Sequence, residues 1–309
     1  MRHISIGIIY LIASISLVSC VHQKKATRLT PQHSRGKLIV VGVGPAGPEH
    51  ATLKALEVIS QADYIVLDWP FLENFFADYI KEKPVLNLYK EMDTSTFKGK
   101  KINELTEKET IECHRHYMKK RDKITTTIQE QIEMGKKVVF MTTGDPCIFT
   151  AASWYIEELA SEDVEVIPGM SSFSAANAVL GRSIIPAYDA RCVLITTPCL
   201  LSEDMVKDVA KYESTIVMFM AMDSLNRWVP LFQKYFPLET PVSVVFYAGY
   251  SDKEEVIECT LEDIVKRVEG KRKSYGLVYI GRFLKGKPSR ATFEDTKYFL
   301  RSCGFGWDY

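Results

Sequence analysis

Three glycine-containing segments, each directly after a short apolar run, constrain what this chain can fold into. Lys37-Leu38-Ile39-Val40-Val41 leads into Gly42-Val43-Gly44-Pro45-Ala46-Gly47-Pro48. Val138-Val139-Phe140-Met141 leads into Thr142-Thr143-Gly144-Asp145-Pro146, and Val164-Glu165-Val166-Ile167 into Pro168-Gly169-Met170-Ser171-Ser172. Each run reads as a buried strand and each is followed by a helical pattern. Strands that alternate with helices build a largely parallel sheet covered on both faces, so an α/β fold is expected. Ligands of open α/β sheets bind outside the carboxyl ends of the strands, which is where all three loops fall.

The remaining elements extend the pattern. Glu49 to Ser60 is expected to be helical, with Leu53, Leu56 and Ile59 on one face. Tyr64-Ile65-Val66-Leu67 is a strand that ends at Asp68, and Asp93 to Gly135 is mostly helical and highly charged. Ala151 to Ala160 and Ser171 to Leu180 read as further helices. After Gly181 the alternation restarts, with strands expected at 192–196, 215–220, 242–246 and 277–280 and helices near 203–211, 225–235 and 261–269. Pro186 falls in the connection. The expected division is therefore an N-terminal α/β lobe over 37–185 and a C-terminal α/β lobe over 186–309.

Taken alone, Gly42, Gly44 and Gly47 satisfy G-x-G-x-x-G, and Asp68 stands where a dinucleotide fold keeps its ribose-binding acid. Pro45 and Pro48, however, remove backbone donors from the turn that would cradle a pyrophosphate. No basic residue lies in any of the three loops to neutralise phosphate. Three cation-free loops on one sheet edge suit an adenosine with an amino-acid tail better than a diphosphate. The formal net charge is zero, with 39 basic and 39 acidic residues, so a general nucleic-acid binder is not expected. The seven cysteines form no C-x-x-C, and no metal site is expected. Cys113, His114 and His116, with Glu112, Arg115 and Tyr117, read as the solvated face of a helix.

The N-terminus carries an address. Met1-Arg2-His3 is a basic start, residues 4–18 are apolar but short for a membrane span, and the run closes on Leu17-Val18-Ser19-Cys20. That layout reads as a lipoprotein signal peptide over 1–20, with lipid on Cys20. A polar tether over 21–36 follows. The expected location is a membrane-anchored lipoprotein facing the periplasm or cell exterior, or the cytoplasm if the start is misassigned.

Order and detail of the motifs bring a family into view. Val41-Gly42-Val43-Gly44-Pro45-x-x-Pro48-Glu49 with Thr52-Leu53-Lys54-Ala55-Leu56 resembles the opening of the tetrapyrrole methylases. Thr143-Gly144-Asp145-Pro146 resembles their central loop, and residues 168–176 their next motif, above all in the precorrin methyltransferases. Residues 215–221, 240–248 and 255–261 are similar to segments of their second lobe. The resemblance covers Lys37 to about Leu284. It implies a two-lobed fold with a mixed sheet in the C-terminal lobe, a homodimer, and transfer of a methyl group from S-adenosylmethionine to a tetrapyrrole. It also implies a cofactor site of Pro45, Thr143, Gly144, Asp145, Ile148, Ser171, Ser172, Met220, Ala221 and Ala248. Such a displacement needs alignment and exclusion of water more than a set of acids and bases. Gly47 departs from the family, which usually carries an aspartate there, so Asp68 is the expected base if one is needed. The cytosolic origin of S-adenosylmethionine conflicts with export, which keeps a tethered, non-catalytic ligand-binding protein open as an alternative. A peptide-backbone N-methyltransferase is a further one.

Overall fold

The first half of the chain runs β1 (Lys37–Gly42), α1 (Leu53–Ser60), β2 (Tyr64–Leu67), the short helices α2 (Phe71–Phe75) and α3 (Ala77–Ile80), and β3 (Val85–Asn87). It continues through α4 (Leu88–Glu91), a hairpin of β4 (Thr96–Phe97) and β5 (Lys100–Lys101), α5 (Glu107–Glu133), β6 (Lys137–Thr142), α6 (Ala152–Glu158) and β7 (Val164–Ile167). The second half comprises α7 (Ser172–Leu180), β8 (Cys192–Thr196), α8 (Glu203–Val209), β9 (Ser214–Met218), α9 (Leu225–Gln233), β10 (Pro241–Phe246), β11 (Glu255–Thr260), α10 (Ile264–Arg267) and β12 (Gly276–Ile280). This computed structural model describes residues 35–285 apart from 93–95, 160–163, 186–189, 191, 213 and 272–274. The signal peptide, Cys20, nearly all of the tether, Pro186 and the C-terminal tail lie outside the described residues.

The first sheet has the order β3-β2-β6-β1-β7, and every pair in it is parallel. Its inner strands are buried on both faces, which is why they read as unbroken apolar runs rather than alternating ones. Ile39 and Val41 of β1 pack with Ala55, Val58 and Ile59 of α1 on one face. Leu38 and Val40 pack with Ile124, Ile128 and Ile132 of α5 and Tyr155 of α6 on the other. The chain leaves β1 toward β2 over one face and leaves β6 toward β7 over the opposite face. The two connections also run in opposite directions along the sheet, the arrangement that opens a ligand crevice at the strands' carboxyl ends.

The second sheet, β11-β10-β12-β9-β8, is mixed: β8 and β9 are parallel and the other pairs antiparallel. Helices α8, α9 and α10 cover one face through Val206, Trp228, Phe232 and Ile264. The other face is covered by α7, whose Ala175 and Ala176 pack with Val217, Val245 and Tyr279. Tyr279 Oη reaches Asn177 Oδ1 at 2.7 Å. Helix α7 precedes the lobe boundary expected near residue 185, yet it belongs to the core of the second sheet. The small side chains that made it readable as a helix are what let it lie close to that sheet.

Several local expectations shift. Pro48–His50 form a turn of 3-10 helix, and α1 starts only after Thr52, whose hydroxyl accepts from Ala55 N at 3.1 Å. Leu53 is 86% exposed and the buried face of α1 is Ala55, Val58 and Ile59. A side chain in the first helical turn leans back over the cap rather than onto the sheet. The charged region resolves into the β4–β5 hairpin and α5, which begins with a Thr106–Glu109 capping box. Of the helix expected at 261–269 only Ile264–Arg267 forms. On α5, His114 and His116 are exposed and Glu112 pairs with Lys98.

Candidate functional site

Glycine is required where the three loops meet, because they meet backbone to backbone. Gly44 and Gly144 exchange hydrogen bonds, Gly144 N to Gly44 O at 2.9 Å and the reverse at 3.4 Å. A Cβ on Gly42 would stand 2.6 Å from Gly169 N, and one on Gly169 would stand 2.2 Å from Gly144 O. Gly44 and Gly144 also carry φ angles of 83° and 72°, a region that side chains with a Cβ disfavour. The bundle of loops thus exposes backbone groups and small hydroxyls rather than long side chains.

These loops form one wall of a cavity of about 490 Å³, of a size that takes one drug-sized ligand. Pro45, Thr143, Gly144, Asp145, Ile148, Ser171 and Ser172 line it from the first half, and Met220 and Ala248 from the second. Nine of the ten residues expected at a cofactor site therefore share one cavity. Ala221 does not line it. It is buried in the core of the second sheet, where its carbonyl accepts from Trp228 Nε1 at 2.8 Å. Ser171 caps α7, its hydroxyl accepting from Phe173 N at 3.1 Å, and Asp145 Oδ1 accepts from Cys147 N at 2.8 Å. Among the described residues of the lining, Asp145 is the only carboxylate, and none is a lysine, arginine or histidine.

The expected site residues left out much of the second wall and the mouth. Trp69, Phe71 and Tyr89 line the cavity beyond β2 and β3, and Phe149 and Phe219 face each other across it with ring centroids 5.1 Å apart. Val245, Tyr247, Tyr250, Tyr275 and Leu277 complete it. Phe149, Met220 and Tyr247 have φ angles of 52°, 51° and 51°. Only two other described non-glycine residues, Glu82 and Lys98, show a positive φ, so strained backbone concentrates at this cavity, as it does at functional sites. The strand-end rule that found Thr143 and Ser171 would also have found Trp69. Nothing in a local pattern points to Tyr247 or Tyr275.

Asp68 sits one residue before Trp69 but is not part of the lining. Its carboxyl accepts a short hydrogen bond from the Thr142 hydroxyl, and its Oδ1 is buried with no well-formed hydrogen bond to the described residues. Burial pushes its pKa up to about 7, against the Thr142 hydroxyl and the Thr143 and Trp69 amides, which favour the charged form. Below pH 4 the folded and unfolded chains both hold this proton. Between about 4 and 7 only the folded chain holds it, so its contribution to stability falls as pH rises through that window. The full loss is on the order of 4 kcal/mol. An Asp68→Asn variant should therefore gain on the parent protein from pH 4 to pH 7 and keep a constant advantage above that. Denaturant midpoints at four pH values check this, and parallel pH profiles would refute it.

Comparison with known proteins gives a consistent picture. The family model for tetrapyrrole (corrin/porphyrin) methylases matches residues 37–265. The cobalt-precorrin-4 C(11)-methyltransferase of Methanocaldococcus jannaschii is 30% identical over 260 residues, covering 81% of this chain and 89% of that protein. The uroporphyrinogen-III C-methyltransferase of the same organism is 29% identical, covering 80% and 96%. Among solved structures, a cobalt precorrin-4 methyltransferase aligns with a TM-score of 0.64 at 23% identity, over 83% of this chain and 99% of that one. A uroporphyrin-III C-methyltransferase from Thermus thermophilus, complexed with S-adenyl homocysteine, aligns with a TM-score of 0.54 at 20% identity over 81% and 99%. At those identities the likeness to the solved structures is one of fold.

Proposed function

The chain belongs to the tetrapyrrole methylases, and we propose that it is an S-adenosylmethionine-dependent methyltransferase whose acceptor is a tetrapyrrole of the precorrin type. The observation that carries this is the single cavity in which three cation-free glycine loops meet Met220 and Ala248 of the second half. Backbone groups and the hydroxyls of Thr143, Ser171 and Ser172 can hold the polar ends of such a cofactor. Ile148, Val245, Ala248 and Leu277 offer apolar wall between them, and Asp145 is the one carboxylate among the described lining residues available to face a sulfonium. When bound, the cofactor supplies a methyl group on a cationic sulfur. The protein's part is to align it and keep water out, since Phe149 and Phe219 narrow the cavity from both halves. The relatives give neither a non-catalytic binder nor a peptide methyltransferase any support.

Calorimetry tests the reading directly. S-adenosylhomocysteine should bind and NAD should not, because none of the three glycine loops carries a cation for a pyrophosphate. Tight NAD binding without heat from S-adenosylhomocysteine would sink it.

Two finer readings belong to the same proposal. A homodimer is the assembly that the family resemblance implies, and light scattering would read it. The anchor rests on the sequence: Leu17-Val18-Ser19-Cys20 follows a basic start and an apolar run. Among the described residues no helix is long and apolar enough to cross a membrane. A lipid on Cys20 would therefore provide the attachment, with the body outside the inner membrane. Cys20→Ser should abolish labelling by a fatty-acid analogue and release the protein from the membrane fraction, with cofactor affinity untouched. Parent protein that is unlabelled and cytosolic would end the export reading and remove its conflict with a cytosolic cofactor.

A further inference from the structure

The middle of α5 carries more positive charge than its neighbours balance. Residues 115–123 hold Arg115, Lys119, Lys120, Arg121 and Lys123 against Asp122 alone, on a chain whose formal net charge is zero. The lysines of the β4–β5 hairpin are matched by the start of the same helix, Lys98 with Glu112 and Lys100 with Glu109, each at 2.6 Å. Arg121 is matched too, with Glu158 at 3.0 Å. Arg115, Lys119, Lys120 and Lys123 enter no ion pair among the described residues. Arg115, Lys119 and Lys123 are exposed and stand four residues apart, so they share one face of the helix, where like charges repel. An external anion relieves that repulsion.

A groove of about 430 Å³ adjoins this face, between α4, α5 and the edge strand β3. Lys90, Lys120, Lys123 and Thr127 line it beside Leu86 and Ile124, and Glu91 is the one carboxylate among its described lining residues. Lys90 meets Glu73 only at 3.7 Å. Cations and a hydroxyl next to apolar side chains suit a phosphate ester with an apolar tail. No described residue lines both this groove and the cofactor cavity.

The route of the chain brings a bilayer to the same face. Gly36 is tied to α5 itself, its N donating to Ile132 O at 2.9 Å. The 16 residues of chain from Cys20 to Gly36 span at most about 55 Å. Lys119 lies only about 20 Å along α5 from Ile132. A lipid on Cys20 therefore leaves the basic face within reach of the headgroups, and an anionic leaflet attracts every lysine or arginine held within a Debye length of it.

We propose that this face of α5, with the adjoining groove, docks onto an anionic lipid bilayer, so that the body lies against the membrane that carries its N-terminal lipid. This rests on the lipoprotein reading of Cys20. Lys119, Lys120 and Lys123 supply the charge, and the groove seats one phosphate headgroup.

The test uses the full chain with Cys20→Ser, which removes the lipid and leaves every cation in place. Cosedimentation is measured with vesicles of phosphatidylglycerol and phosphatidylcholine in equal parts, and with vesicles of phosphatidylcholine alone. The mixed vesicles should bind roughly tenfold more tightly or better, and added salt should erase the difference. Adding Lys119→Gln, Lys120→Gln and Lys123→Gln together should remove most of that preference, whereas Lys119→Arg, Lys120→Arg and Lys123→Arg should keep it. The basic residues before Gly36 are common to all these proteins, so the difference between them reads α5, and circular dichroism checks that each is folded. Acetylation of the Cys20→Ser protein needs no change in α5: mixed vesicles should slow modification of Lys119 and Lys123 but not of Lys207 on α8. Equal binding of the glutamine set and its parent to mixed vesicles, or unslowed acetylation of Lys119 and Lys123, overturns the docking face. Inorganic phosphate that abolishes binding at the concentration of the vesicle phosphate overturns it as well, since the groove then takes a free ion. Fatty-acid labelling of the protein with Cys20 intact reads the anchor separately. An unlabelled chain whose Cys20→Ser form still prefers mixed vesicles loses the anchor and keeps the docking face.

Discussion

Gly169→Ala is expected to unfold the protein or bring it close to unfolding. The added methyl would stand 2.2 Å from Gly144 O, 2.5 Å from Gly42 C and 2.7 Å from Gly42 Cα. All three are backbone atoms of strand-end loops, so no rotamer change relieves the clash. The loops after β1, β6 and β7 would have to separate, breaking the Gly44–Gly144 exchange and shearing the pairing of β1 with its neighbours. Overpacking of a rigid site costs on the order of 3 kcal/mol or more, a large share of the 5–15 kcal/mol that holds a domain together. Gly181→Ala is the control. Gly181 ends α7 with φ at 59° and has nothing within 4 Å, so the same methyl there meets only backbone preference, worth about 1 kcal/mol. Denaturant midpoints compare the two. A Gly169→Ala midpoint as high as that of Gly181→Ala would mean that the three loops are not packed against one another.

That contrast marks what a sequence can and cannot convey. Strand runs such as 37–41 and 138–141 were legible because a parallel strand buried on both faces has no polar positions to disguise it. The loops were legible because glycine and proline punctuate them, and the rule that ligands sit at strand ends placed them on one edge. Hence the loops that hold Thr143, Gly144 and Ser171 could be placed together before their contacts were known, whereas Met220 came only from the resemblance to the tetrapyrrole methylases. Ala221 could not be separated from Met220, because adjacent residues after a strand differ in direction rather than in pattern: one is 62% exposed at the cavity, the other fully buried. The exposure of Leu53 was hidden for a related reason, since helical spacing gives a face but not where the cap begins. The aromatic mouth was least legible. Trp69, Tyr89, Tyr250 and Tyr275 are separated by up to 206 residues, and only the closure of the second half over the first brings them into one row.

Gly144→Val should abolish cofactor binding in a protein that still folds. A Cβ at position 144 would have its nearest neighbours, Ser171 Cα and Ser172 N, at 3.9 Å, which is ordinary contact, so the substitution does not drive the loops apart. Its structural cost is that of a β-branched residue at φ 72°, roughly 1–3 kcal/mol. The functional cost is larger. The isopropyl group would occupy the space between Gly144 and the start of α7, and Ser171 and Ser172 line the cavity there beside Gly144 itself. Any ligand seated on that backbone is displaced, and a loss of at least hundredfold in affinity for S-adenosylhomocysteine is expected, about 2.7 kcal/mol. Gly144→Asn distinguishes strain from obstruction. Asparagine tolerates the left-handed region, so this variant should recover stability while still blocking the cavity. If strain alone mattered, Gly144→Asn would bind like the parent protein. If Gly144→Val is folded and binds with unchanged affinity, the cofactor lies somewhere other than against the central loop.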